Sequence, residues 1–137
     1  RPLRTLVDLF GSLDFVYLPS RDVARDLVHF TESLGGTLVF AIEAFGTRVA
    51  MVNLTQDPPA VLLAEHLEGD QPVLVYRVPD LEQMVSELRP RGMEVAARFG
   101  IPHGPGVELA THGPQRIAVY ELTRPEAPDR LAGRRDF

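Results

Sequence analysis

The chain reads through the same pattern twice. Residues 13–67 and 72–123 each run strand–helix–strand–strand–strand, and the two runs keep register. Asp22 and Asp80 are 58 positions apart, as are Leu27 and Val85, and Phe30 and Leu88. The closing strands answer each other too, "VLLAEHL" at 61–67 and "IAVYELT" at 117–123, at an offset of 56. A unit this small cannot bury its apolar face alone. Agreement in order, length and spacing therefore implies two copies packed together.

Periodicity and punctuation define the elements. "LDFVYLPS" alternates as a strand does. "RDVARDLVHFTESLGG" puts Val23, Leu27, Phe30 and Leu34 at helical spacing, with Asp22 as N-cap and Gly35-Gly36 as the stop. "TLVFAIEAF" and "TRVAMVNLT" flank Gly46 as a hairpin, "QDPP" breaks the chain, and "AVLLAEHL" is a further strand. After the polar link "EGDQ", "PVLVYRV" is a strand and "PDLEQMVSELRPRG" a helix. Asp80 caps that helix, and Leu81, Met84, Val85 and Leu88 face inward. "MEVAARFGI", "VELATH" and "RIAVYELT" complete the second half. Outside the repeat, Leu3, Leu6, Val7 and Phe10 share a helical face, so residues 1–12 are predicted to form an amphipathic arm. Residues 124–137 are a charged tail ending in Phe137, read either as a mobile end or as one whose Phe137 docks on a partner subunit or across the cup.

Composition excludes several chemistries. At 137 residues the chain is one domain's worth and long enough for a core without staples. It has no Cys, which removes disulfides, thiolate catalysis and Cys-type zinc sites and fits a cytoplasmic location. All 14 basic residues are Arg, so Schiff-base chemistry and Walker-type phosphate loops are excluded. The net charge is −5 and the Arg residues are scattered, which argues against nucleic-acid binding. No apolar run approaches the roughly 20 residues of a membrane span. No signal-peptide pattern appears. The chain starts at Arg1 rather than methionine, so removal of a leader or a few residues is expected.

Two βαβββ halves in this length resemble the vicinal oxygen chelate superfamily, which includes glyoxalase I, bleomycin resistance proteins and extradiol dioxygenases. The resemblance rests on "DFVYLPSRDVARDLVHFTESLGG", "PVLVYRVPDLEQMVSELRPRG" and "GPQRIAVYELTRPE", and covers residues 13–126 as one domain. It implies an α+β fold whose two modules curl mixed sheets into a cup, and commonly a homodimer. Metal enzymes of the group hold a divalent ion with His, Glu or Gln from the first and last strands of each half, leaving an open position for two substrate oxygens. Carried over residue by residue, those positions are Phe15, Leu62, Val73 and Ala118. None can bind a metal. No cofactor is therefore expected, and a divalent metal is the alternative at a non-standard site.

Strand parity sends Phe15, Tyr17, His66, Arg77 and Tyr120 toward the cup. A mainly apolar cleft with a few polar groups suits a small molecule. Glu65 and Glu121 hold matching places off the cup face. The two His-Gly-Pro triplets, at His103 and His112, read as turns at either end of one strand. At ~3.3 Å per residue they lie roughly 30 Å apart, too far to share a metal. His103 alone stays a site candidate, in a loop at the mouth of the second half, as hydrogen-bond donor or general base. The expected ligand-binding set is Phe15, Tyr17, His66, Arg77, His103 and Tyr120. The expected function is a metal-independent small-molecule binding protein. The alternative is a lyase, isomerase or oxygenase acting on a small oxygenated substrate through a non-standard metal or acid–base groups such as His66, His103 and Tyr120.

Overall fold

The computed structural model describes residues 10–137. The arm predicted over residues 1–12 lies outside the described residues except for its last three.

Each helix starts where its aspartate places it. The Asp22 carboxylate accepts the Arg25 N–H at 3.0 Å, and the Asp80 carboxylate accepts that of Gln83 at 3.0 Å. These contacts open α1 (Val23–Val28) and α2 (Leu81–Leu88). A second carboxylate reaches each helix from the strand that closes its module. Glu65 Oε2 accepts the Val23 N–H at 3.1 Å, and Glu121 Oε1 accepts the Leu81 N–H at 2.8 Å. Each helix start is thus supplied with two acceptors for N–H groups that have no partner inside the helix. The matching places of Glu65 and Glu121 in the repeat are two copies of one capping device.

The strands are β1 (Leu13–Pro19), β2 (Thr37–Ala44), β3 (Thr47–Asn53), β4 (Ala60–Ala64), β5 (Val73–Val78), β6 (Val95–Ile101), β7 (Gly104–Leu109) and β8 (Arg116–Glu121). They form one eight-stranded sheet in the order β2-β3-β4-β1-β5-β8-β7-β6. The order reads the same in both modules outward from the centre. β1 pairs β4 in parallel, and β5 pairs β8 in parallel. β1 and β5 join antiparallel, so the two modules meet within one chain. Alternation then sorts the apolar residues into three cores. One lies on the concave face of the sheet. The other two lie on the opposite face, under α1 and under α2.

Three details depart from the sequence reading. The first helix is α-helical only to Val28 and continues as a π-helical turn over His29–Ser33. The Thr31 hydroxyl donates to the Leu27 carbonyl at 2.9 Å there, a local competitor for the helical ladder. The strand expected as "VELATH" begins earlier, at Gly104, which leaves only Pro102 and His103 in the turn after β6. The tail is neither a loose end nor a strap across the cup. After α3 (Ala127–Leu131) it hooks round the free edge of β2. Gly133 N–H donates to Val39 O at 2.8 Å, Ala41 N–H to Arg134 O at 2.8 Å, and Asp136 N–H to Ala41 O at 2.7 Å. Leu131 packs on the concave core, whereas Phe137 packs on the α1 core with the Arg48 guanidinium 4.9 Å from its ring.

Candidate functional site

The concave face has a buried, mainly apolar floor. Phe15, Tyr17, Leu62, Val73, Ala118 and Tyr120 are all buried there and pack into one cluster. Two separate cavities open on this face, and they share no lining residue.

The first, of about 380 Å³, gathers the charged chemistry. Its centre is Asp14. The Tyr120 hydroxyl donates to Asp14 Oδ2 at 2.5 Å, the Ser12 hydroxyl donates to Oδ1, and Arg77 Nε stands 3.7 Å from Oδ2. Parity alone puts Asp14 on the other face of β1. A bulge reverses that. Leu13 pairs with Tyr76 and Phe15 with Val75, so β1 spends two steps where β5 spends one, and Asp14 is the extra residue. An extra residue at a bulge re-aims its side chain.

His103 lines the same cavity and is 4% exposed. The two-residue turn between β6 and β7 tucks it inward instead of leaving it at the mouth. Its ring lies 4.7 Å from that of Phe15 and 6.4 Å from that of Tyr120. Nδ1 is buried and has no hydrogen-bond partner among the described residues. Burial pushes its pKa below the ordinary imidazole value of 6.5; Asp14 opposes this shift and Arg124 adds to it. Burial thus favours the neutral imidazole, and Nδ1 is left without a partner. Burial, and then the Asp14 bond, push the Tyr120 phenol well above its ordinary range, so it remains a proton donor.

The second cavity, of about 560 Å³, holds His66. His66 Nε2 is 3.0 Å from the Tyr17 hydroxyl, and Nδ1 is 3.2 Å from the Thr47 hydroxyl. Burial pushes the Tyr17 phenol up to about 12. The six residues expected to share one site thus separate. Phe15, Arg77, His103 and Tyr120 line the first cavity. His66 lines the second, and Tyr17 reaches it through the His66 bond. His112 is exposed beyond β7 and belongs to neither.

Neither a family model nor a curated protein matches the chain. Solved structures do. Methylmalonyl-CoA epimerase from Mycobacterium tuberculosis is 21% identical with a TM-score of 0.65, over 82% of this chain and 89% of that one. A hypothetical protein from Bacillus halodurans is 15% identical with a TM-score of 0.68, over 80% and 93%. A glyoxalase I mutant from Zea mays is 16% identical with a TM-score of 0.60, over 85% of this chain and 44% of the other. The chain has the vicinal oxygen chelate fold. Metal enzymes with this fold hold their ion at the centre of the cup, and the residues here do not fit one. Phe15, Leu62, Val73 and Ala118 fill the four ligand positions, each at most 3% exposed and none with a donor atom in its side chain. Among the described residues no three His, Cys, Asp or Glu side chains gather where they could hold a metal ion. What the cup offers here is the cluster of Asp14, Ser12, Arg77, His103 and Tyr120 around one cavity, with Phe15 in the same lining. Sequence reasoning missed Asp14 as its hub. The available signal was a lone carboxylate at the start of β1, and the bulge that makes it count is set by pairing with β5.

Proposed function

We propose that this chain is a metal-independent acid–base enzyme, of the isomerase class, that moves a proton next to a carbonyl in a small oxygenated substrate. The observation that carries it is the neutral, unpartnered His103 nitrogen in the same cavity as Tyr120, Asp14 and Arg77. In this reading His103 Nδ1 takes the proton from the carbon. The electron pair left behind moves onto the carbonyl oxygen as an enolate. The Tyr120 hydroxyl turns from Asp14 to hydrogen-bond that oxygen, and Arg77 balances its charge. The protonated His103 then returns the proton to the same carbon, or solvent supplies one from the opposite face, which inverts that centre. A neutral base and a phenol kept protonated are the pair such chemistry needs. Methylmalonyl-CoA epimerases with the same fold support the reading, because epimerisation is a proton transfer at one carbon.

The test is exchange of the α-proton in deuterium oxide, followed by proton NMR, with methylmalonyl-CoA and methylmalonate as the first probes. Expected is catalysed exchange that persists in EDTA and falls by a factor of about 100 or more in Asp14→Asn and His103→Phe. The apolar floor of the cup favours a second reading, a metal-independent small-molecule binding protein. Saturable binding without exchange in the wild type would decide for it.

A further inference from the structure

The second cavity carries chemistry of its own. Its walls include Ile42, Val49, Ile101 and Pro102, and its size falls in the range of small-molecule sites. Arg124 stands in its lining with a guanidinium already held in place. Nε–H donates to Pro102 O at 2.7 Å, and Nη2–H donates to Ile101 O at 2.8 Å. Both partners are neutral carbonyls. Among the described residues no carboxylate comes within ion-pair distance, so a fixed positive charge faces the cavity uncompensated. A pre-positioned guanidinium is the group that best matches a carboxylate.

Phe45, also in the lining, adds an independent argument. It sits at the tip of the β2–β3 hairpin at φ 54, followed by Gly46 at φ 76. Two consecutive left-handed residues make the turn that favours Asn-Gly or Asp-Gly. A bulky residue at positive φ is strained, and Phe45 gains nothing from packing, because its side chain is fully exposed. Strain retained at such a position belongs with ligand clamps.

We propose that this cavity binds a small aromatic carboxylate, with the carboxylate on Arg124 and the ring on the apolar wall beneath Phe45. The site shares no lining residue with the acid–base cluster; the link between them is Arg124, whose backbone N–H donates to His103 O at 3.0 Å.

The protein has no Trp, so the fluorescence of 2-naphthoate is read against a dark background. Expected is saturable binding of 2-naphthoate by the full chain. Arg124→Gln weakens it at least tenfold and leaves the neutral 2-naphthamide unaffected, which also shows that the cavity wall is intact. Phe45→Asn supplies the residue the turn favours, keeps the fold by circular dichroism, and weakens both probes at least threefold. Asp14→Asn, in the first cavity, changes neither. No saturable binding overturns the proposal, and so does a loss in Asp14→Asn equal to that in Arg124→Gln. It is also overturned if Phe45→Asn turns a dimer into a monomer in sedimentation without altering probe affinity, because the face then belongs to a second copy.

Discussion

At the residue scale His103 decides most. It is a polar side chain with an unsatisfied nitrogen, held beside the rings of Phe15 and Tyr120. A buried nitrogen of this kind costs about 1–3 kcal/mol, so function is the reason to look for. The cost also depends on pH. Burial holds the folded pKa below the ordinary 6.5 of the unfolded chain. Between those two values the unfolded chain takes up a proton that the native chain refuses. Stability therefore falls as pH drops through 6.5, and levels off once pH is below the folded pKa. His103→Phe removes the nitrogen and its titration. The expected outcome is a higher Tm at pH 7, and a smaller loss of Tm between about pH 7 and pH 5 than the wild type shows. Thermal melts across that range check it, and identical pH profiles would refute the assignment.

At the element scale the repeat is a repeat of caps. Asp22 with Glu65 opens α1, and Asp80 with Glu121 opens α2. The aspartates were legible, because an N-cap precedes an apolar period. The capping role of the glutamates was not legible. They reach their helices only after β4 and β8 have been laid alongside β1 and β5, about 40 residues away in sequence. Glu65→Ala and Glu121→Ala each leave one N–H at a helix start without its acceptor, at an expected cost of about 1 kcal/mol. The two sites belong to different modules and share no partner, so the double variant should lose the sum within about 0.5 kcal/mol. Urea denaturation of the four proteins measures it.

At the scale of the whole molecule the C-terminal tail protects an edge. An unpaired strand edge is a template for association. Residues 133–136 cover the outer side of β2 with three backbone hydrogen bonds, and Phe137 anchors them on the far face. Removing residues 133–137 should lower Tm and produce concentration-dependent association through β2. Light scattering after size exclusion, together with a melt, tests both. A truncated chain that stays in the parent's association state with an unchanged Tm would show the hook to be idle.

The sequence by itself determined the α+β class, the duplicated strand–helix–strand–strand–strand order and the two helix starts, and the family resemblance it carries placed residues without a donor atom at the four metal positions. All of these are local properties: alternation, helical spacing, a cap before a helix, and a residue type that lacks a donor atom. Only the tertiary structure decided which polar groups meet. Pairing of β1 with β5 made Asp14 a bulge and swung it toward Tyr120. The short β6–β7 turn buried His103 beside them and parted it from His66. Strand parity indicates which face a side chain takes, but which cavity it shares depends on register and turn length, and these are fixed by contacts between residues distant in the chain.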